Sequence, residues 1–319
     1  MFQVPAAGPH RGNTLDSFAI MQIFYTDQFE LPLPEGHRFP MAKYALLRHR
    51  VESAQLSGNA PLRVPSAASD EEILRAHDSD YLQRVLDGKL SESEVRKIGF
   101  PWTPQMVERS RRSSGATIQA CREAIVQGVA VSLAGGTHHA FRDHGAGYCV
   151  FNDAAIAALA MQSEGRAKRV LVIDCDVHQG DGTAAILAHD RSVFTLSIHG
   201  ESNFPFSKVE SDLDIGLGDG TGDGFYLDSL ERALNYAFSA AQPELVIYLA
   251  GADPFEGDRL GRLSLTKAGL ESRDTKVLSM CRDMRVPVTV VMAGGYARCI
   301  DDSVDIHFNT VCLAARLFR

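Results

Sequence analysis

The chain has 319 residues, of which 45% are hydrophobic and 23% charged, and this composition is typical of a globular protein. Its net charge of −8 and its lack of a long lysine or arginine run argue against a nucleic-acid-binding protein. It contains no apolar run of 18 residues, which a membrane-spanning helix would need.

The chain begins with a segment that resembles no structural element. The first 20 residues lack the apolar stretch of a signal peptide, so we expect a loose leader over 1–20 and a single domain over 21–319. The segment 28–128 is predicted to be mainly helical and rich in loops. Within it we expect loops at 35–41 and 98–104, the second near the rim of a pocket.

Strands and helices then alternate along the chain. Short apolar runs rich in Val, Ile and Leu predict strands at 22–26, 129–134, 169–174, 192–198, 244–250 and 287–293. Apolar residues three or four positions apart predict helices at 152–165, 223–241 and 264–284. The alternation predicts an α/β fold, a single domain with a mainly parallel sheet flanked by helices.

Polar clusters follow five of the predicted strands. Their sequences are GGTHHAF (135–141), DCDVHQGDG (174–182), SIHG (197–200), GADPFEGD (251–258) and AGGY (293–296). In open α/β sheets, ligands bind beyond the carboxyl ends of the strands. We therefore expect all five clusters to converge on one crevice.

Three residues of these clusters predict a metal site. Asp176 and His178 leave one strand two positions apart, and Asp253 follows another strand. An Asp/His/Asp set leaves a coordination position for water, which is typical of a catalytic rather than a structural site. The alternative, that Asp176 and His178 only cap a helix near Gly182, does not explain the second acidic cluster.

The tandem histidines are candidates for acid–base catalysis. His138 and His139 can each bond a carboxylate, with Asp174 and Asp181 as the candidates, and such a pair fixes the tautomer of an imidazole. Tyr296 follows a double glycine and can donate to an oxyanion, although its alternative is a packing role.

Further residues are predicted to form the walls of a narrow substrate tunnel. These are Gly147, Tyr148, Phe204 and Leu260, and for the two aromatic residues a plain core role is the alternative. The six cysteines form no C-x-x-C pair and lie mostly in apolar segments. This pattern predicts reduced thiols in a cytoplasmic protein.

Taken together, the motifs resemble those of a known family. GGTHHAF, GAGYCVFND, DCDVHQGDG, GADPFEGDRLG and GGY resemble, in this order, the signature set of the histone deacetylase family. PLPEGHRFPMAKYALL and EGDRLGRLSLT resemble its class IV branch and bacterial members. The resemblance extends from Met21 to the C-terminus. It implies the arginase/deacetylase fold and a zinc-dependent amidohydrolase that acts on acylated lysine.

The resemblance also assigns roles. The zinc ligands would be Asp176, His178 and Asp253. His139 would be the general base, His138 a companion that stays charged or donates a proton, and Tyr296 the group that polarises the acyl carbonyl. A potassium ion close to the zinc would be held by Asp174, Ser197 and the backbone carbonyls of Asp176, His178 and Ile198.

Three features depart from the family pattern. Tyr148 stands where the family usually has phenylalanine, and Ala293 interrupts a run that is glycine in many members. The acidic rim residue with which several deacetylases hold the substrate backbone has no evident counterpart. Gly257 and Gly261 are expected to let their loop yield around a longer acyl group, so we expect groups longer than acetyl to be accepted.

Other functions remain open at this point. An arginase-like ureohydrolase with two manganese ions would need further ligands where this chain has Gln179 and Gly180. A deacetylase of acetylpolyamines or another small amide would keep the same site. A catalytically inactive acyl-lysine binder is the third alternative, and the presence of Tyr296, His138 and His139 argues against it.

The expected partner is acylated lysine in a protein or peptide, or a small acylated amine. We expect no direct binding to nucleic acid or to a membrane.

Overall fold

The computed structural model describes residues 21–58 and 60–318 of the chain. The predicted leader, 1–20, lies outside the described residues. The described strands are β1 Gln22–Phe24, β2 Val129–Ser132, β3 Val170–Asp174, β4 Val193–Gly200, β5 Leu213–Leu217, β6 Leu245–Leu249 and β7 Val288–Val291. They form one sheet in the order β1-β2-β7-β6-β3-β4-β5, and every strand pair is parallel. The predicted fold class is confirmed.

Helices connect these strands and cover the sheet. The described helices are α1 Ala42–Ser53, α2 Asp70–Leu74, α3 Ser79–Leu86, α4 Glu92–Ile98, α5 Pro104–Gln127, α6 Asp153–Ser163, α7 Asp181–Leu187, α8 Asp223–Ala241, α9 Lys267–Asp283 and α10 Ile300–Leu317. Among the described helices, none combines the length and the apolar character that crossing a bilayer requires.

The six predicted strands and three predicted helices are confirmed, most of them with bounds shorter by a few residues. The sequence does not predict β5 or α10. β5 is an edge strand paired only with β4, and its sequence LDIGL includes Asp214 and Gly216. It has no continuous apolar run because four of its five residues are partly or fully exposed.

The core lies on both faces of the sheet. Along β3, Leu171 and Ile173 face one apolar cluster, whereas Val170 and Val172 face the other. Strands buried on both faces are expected to be continuously apolar, as this one is. The strand order makes β2, β7, β6 and β3 neighbours. Their carboxyl ends therefore deliver four polar clusters to one edge of the sheet.

The start of α6 holds the loop after β2 in place. Asn152, the N-cap of α6, donates from Nδ2 to the carbonyls of His138 and Ala140. The carboxylate of Asp153 accepts from the backbone N–H groups of Gly136 and Thr137. The position of the two histidines is thus set by the helix that follows them.

Candidate active site

A cavity of about 430 Å³ opens at the carboxyl ends of β2, β3, β6 and β7. We use the name floor for six of its lining residues, namely the buried His138, His139, Asp176, Asp253 and Tyr296 and the mostly buried His178. We call its exposed lining residues the mouth, namely Arg96, Lys97, Ser202, Phe204, Phe206 and Arg262.

The three predicted metal ligands meet on the floor. The ligand atoms of Asp176, His178 and Asp253 all lie within 4.8 Å of one another. His178 Nδ1 is 2.9 Å from Asp176 Oδ1 and 3.3 Å from Asp253 Oδ2. Asp253 Oδ2 is buried and accepts no hydrogen bond from the described residues. Because an unpartnered buried carboxylate oxygen is costly, this donor set fits a zinc ion.

The charges of this cluster disturb one another strongly. Burial and the carboxylate of Asp176 raise the pKa of Asp253 to about 7. Although burial opposes protonation, Asp176 and Asp253 raise the pKa of His178 to about 10. Two carboxylates that compete for one imidazole proton favour a cation in its place.

Gly294 allows this cluster to form. A Cβ atom at this position would overlap the carboxylates of Asp253 and Asp176, and the Gly294 N–H donates to Asp176 Oδ2 at 2.7 Å. Asp253 Oδ1 accepts from the backbone N–H of Val177 at 2.9 Å. Backbone donors therefore aim both carboxylates at the same point.

The two histidines form pairs of equal length with their predicted carboxylates. His138 Nδ1 lies 2.6 Å from Asp174 Oδ2, and His139 Nδ1 lies 2.6 Å from Asp181 Oδ1. Burial opposes charge on both rings, but Asp174 and Asp176 raise the pKa of His138 to about 9. For His139, burial and the neighbouring charge of His138 lower the pKa to about 4. The surroundings therefore favour the charged form of His138 and the neutral form of His139.

Small and aromatic residues enclose His139. A Cβ atom at Gly147 would crowd the His139 ring at 2.6 Å, and Gly147 has a φ of +53°. The Phe204 ring stands edge-on to His139 with a centroid distance of 4.8 Å. Leu260 also lines the cavity. The structure thus brings the predicted tunnel residues to one cavity.

Tyr148, the fourth predicted tunnel residue, sits in an aromatic group. Its ring centroid lies 5.3 Å from Phe39, 5.2 Å from Phe100 and 6.0 Å from Tyr296. Gly99 leaves room for this ring, because a Cβ atom there would lie 2.9 Å from Tyr148 Cε1. Tyr148 and Gly99 both line the cavity, as the predicted rim position of loop 98–104 requires.

Tyr296 lines the floor and is held from two sides. Its backbone N–H donates to Asp258 Oδ2 at 2.6 Å. Lys43 Nζ donates to the carbonyls of Ala293 and Gly295, and it lies 5.5 Å from the centre of the Tyr296 ring. Burial raises the pKa of Tyr296 well above its ordinary value, so its hydroxyl keeps its proton.

Ala293 adopts a left-handed backbone conformation, which explains why many family members have glycine at this position before the tyrosine. Its φ is +54°, in the left-handed region that glycine populates at no steric cost. Gly136 makes space for the extra methyl group, because a Cβ atom at Gly136 would overlap that of Ala293.

The glycines at 257 and 261 have a packing role that differs from the expected flexibility. A Cβ atom at Gly261 would overlap the Asp253 carbonyl oxygen, and one at Gly257 would overlap the Phe255 ring. The carboxylate of Asp258 also accepts from the N–H groups of Leu260 and Gly261. These contacts give the two glycines a packing role, and acceptance of longer acyl groups stays a prediction.

The residues implied for potassium lie beside the floor. Asp174 and Ser197 are paired in the β3–β4 register, and Asp174 Oδ1 accepts from the Asp176 N–H at 3.1 Å. Ser197 Oγ lies 2.9 Å from His199 Nδ1. Ile198 follows on the same strand. The potassium site stays a prediction.

Sequence reasoning missed several lining and supporting residues. Phe39 and Phe206 line the cavity, while Asp258 and Lys43 support the loop of Tyr296. Lys43 had a readable signal, since it lies four residues before Leu47 in the buried stripe of α1. Asp258 lies within the EGDRLG string but its contact with a loop 38 residues away has no local signal.

Comparisons with known proteins agree with this geometry. Residues 37–311 match the histone deacetylase domain. An uncharacterized protein of Picosynechococcus is 42% identical over 89% of this chain and 95% of its own length. Histone deacetylase 2 of Arabidopsis thaliana is 30% identical over 89% of this chain and 78% of its own length. The crystal structure of a histone deacetylase homologue in complex with SAHA superimposes with a TM-score of 0.80 at 25% identity, covering 93% of this chain and 84% of the other.

Proposed function

The chain belongs to the histone deacetylase family, whose members are zinc-dependent amidohydrolases, and we propose that it hydrolyses the amide bond of acylated lysine side chains. The acyl group is acetyl or longer. The zinc ion would be held by Asp176, His178 and Asp253.

One observation carries the proposal. Asp253 Oδ2, which accepts no hydrogen bond from the described residues, lies 3.3 Å from His178 Nδ1, in the same cavity as two His–Asp pairs and a protonated tyrosine. This collection supports hydrolysis, since it combines a metal donor set with a base, an acid and an oxyanion donor.

Gln179 argues against the binuclear ureohydrolase alternative. Its Nε2 donates to the Val209 carbonyl and to Asp214 Oδ1, and its Oε1 accepts from the Val209 N–H. The side chain is therefore fully engaged away from the three candidate ligands. Among the described residues, the candidate metal group at this cavity consists of those three ligands.

The floor residues divide the proton transfers between them. When bound, zinc lowers the pKa of a coordinated water and stabilises negative charge on the acyl oxygen. His139 is neutral and donates from Nδ1 to Asp181, so its Nε2 carries the lone pair that accepts a proton as water attacks the carbonyl carbon. The hydroxyl of Tyr296 donates to the resulting oxyanion.

Release of the amine requires an acid. The C–N bond of the tetrahedral adduct breaks as the nitrogen takes a proton from a protonated imidazole, either the newly protonated His139 or His138. The carboxylates of Asp174 and Asp176 outweigh the effect of burial and raise the pKa of His138 to about 9, which favours its charged form. The products are the free lysine amine and the carboxylate of the acyl group.

The test is a panel of substrates for the zinc-loaded protein. Acetyl-lysine, octanoyl-lysine and myristoyl-lysine peptides would be compared with acetylspermidine, with the released amine quantified by mass spectrometry. We expect the lysine peptides to be hydrolysed with the higher kcat/KM. A higher kcat/KM for acetylspermidine would favour the small-amine alternative, and binding of acyl-lysine without turnover would favour an inactive binder.

A further inference from the structure

Three cationic side chains line the mouth of the cavity, although the whole chain has a net charge of −8. Arg96 and Lys97 lie in the last turn of α4, and Arg262 follows the loop anchored by Asp258. All three are exposed and line the cavity. Within the described part of the chain, no glutamate lines it and its only aspartates are the two proposed zinc ligands. Those two carboxylates would balance a divalent ion, so the three cationic side chains are the exposed charged groups of the lining that a substrate would meet.

These three charges are available to a ligand. Arg96 Nη1 is 3.4 Å from Glu92 Oε2, but the two side chains are 70% and 93% exposed. Arg262 Nη1 is 3.2 Å from Asp219 Oδ2, with side chains 54% and 47% exposed. Exposed pairs of this kind exchange easily with other partners. Lys97 forms no ion pair with the described residues, and neither Glu92 nor Asp219 lines the cavity.

The helix dipole explains the presence of two of these three cations but not of the third. Cations in the last turn of a helix interact favourably with its dipole, which gives Arg96 and Lys97 a role in the stability of α4. Arg262 lies outside the helices, and its backbone N–H is held by Asn203 Oδ1 at 3.2 Å. The mouth therefore collects positive charge from two unrelated segments.

The mouth is where the neighbours of the reacting lysine must lie. In the proposed reaction the acyl group would reach the floor, the four methylenes of lysine would occupy the tunnel, and the peptide backbone would stay outside. A charged opening attracts substrates of opposite charge and repels those of like charge. An acylated polyamine or a lysine among other lysines would place its own cations against those of the mouth.

We propose that the mouth selects acyl-lysine flanked by acidic residues and disfavours polycationic substrates. The inference rests on the proposed function and specifies its substrate class. Arg96, Lys97 and Arg262 are specificity-determining residues that pair with carboxylates beside the acylated lysine.

The experiment compares three peptides of equal length that differ only in the residues flanking one acetyl-lysine. Two glutamates, two glutamines or two lysines stand on each side, and kcat/KM is measured at low and high salt. Each contact between exposed charges changes kcat/KM by about 1.5- to 5-fold. We expect the order glutamate, glutamine, lysine in the wild type, with differences that shrink at high salt. Acetylspermidine should fall below the glutamine peptide.

The variant that tests the residues is Lys97→Glu combined with Arg262→Glu, which should reverse the order of the peptides. The matched control is Arg191→Glu. Arg191 is exposed and precedes the amino end of β4, whereas the cavity lies at the carboxyl ends of the strands. The control should keep the wild-type order.

Two results would overturn the inference alone. The first is hydrolysis of the three peptides with equal kcat/KM. The second is an equal change of order in the Arg191→Glu control. Because the glutamine peptide carries no flanking charge, its hydrolysis tests the proposed function separately. If none of the peptides were hydrolysed by the zinc-loaded protein, the proposed function would fail and the inference with it.

Discussion

The floor and the mouth of the cavity are built in opposite ways. Floor side chains are buried at the ends of four neighbouring strands, and backbone N–H groups fix the carboxylates of Asp176 and Asp253. Mouth side chains lie on the end of α4 and on loops, are exposed, and make only weak surface pairs such as that of Arg96 with Glu92. A rigid scaffold therefore holds the chemistry, while replaceable side chains meet the substrate. Substitutions on the floor should cost orders of magnitude, and those at the mouth only small factors.

The largest effect is expected from removal of a metal ligand. His178→Ala or Asp176→Ala leaves two protein ligands for zinc, so bound metal and turnover should both fall to background. Metal analysis and peptide hydrolysis on the same samples check this. His49→Ala is the matched control, because His49 is an exposed histidine on α1. A His178→Ala protein that lacks metal yet turns over at the wild-type rate would show that these residues are not the site.

The two His–Asp pairs offer the next test, since they share one geometry and differ in charge. Loss of a general base typically costs about 10²–10⁴ in rate. We therefore expect His139→Ala to lower kcat by that amount and His138→Ala to lower it less, because the raised pKa of His138 disfavours the neutral ring that could accept the proton of water. Single-turnover rates at saturating substrate measure both. Equal losses, or a larger loss for His138→Ala, would reverse the assigned roles.

Tyr296→Phe keeps the ring and deletes the donor to the oxyanion. Loss of one such donor typically lowers kcat by about 10²–10³. Tyr236→Phe, at an exposed position of α8, is the control and should leave kcat unchanged. If kcat of Tyr296→Phe changed less than about threefold with zinc still bound, Tyr296 would have only the packing role that its aromatic contacts also allow.

The last comparison concerns the length of the acyl group. Each buried methylene contributes about 0.8 kcal/mol to binding where the cavity has room, and the cavity measures about 430 Å³. We expect groups longer than acetyl to be hydrolysed with at least the kcat/KM of acetyl on the same peptide. Tyr148 opposes this trend, because its hydroxyl needs a partner among apolar neighbours. The measurement is kcat/KM over a series of acyl groups from acetyl to myristoyl on one peptide. A steady decline of kcat/KM from acetyl onward would indicate a short, closed pocket.

The floor can be predicted from the sequence far better than the mouth. The strands and the five polar clusters can be read from the sequence because strands buried on both faces are continuously apolar and end abruptly in Asp, His and Gly. Asp176, His178 and Asp253 are readable for that reason, as are the histidine pair and Tyr296. β5 cannot be read from the sequence, because most of its residues are exposed and it has no continuous apolar run.

Local sequence patterns do not identify the residues of the mouth. The positions of Arg96 and Arg262 in one opening result from the way that α4 and the Asp258 loop pack, and the two residues are 166 positions apart in the chain. Exposed charges have no periodic pattern that marks them as lining residues. The packing role of Gly261 escapes the sequence for a related reason, since the sequence cannot reveal that the Asp253 carbonyl occupies the space of a side chain.

The most direct test of the floor as a single-zinc hydrolytic site is a metal titration. The protein would be stripped with a chelator, zinc restored stepwise, and hydrolysis of an acetyl-lysine peptide measured against bound zinc. We predict no activity without metal and a linear rise that ends at one zinc per chain. Full activity in the stripped protein, or activity that requires two metal ions per chain, would contradict the assignment of Asp176, His178 and Asp253 as the ligands of one catalytic zinc.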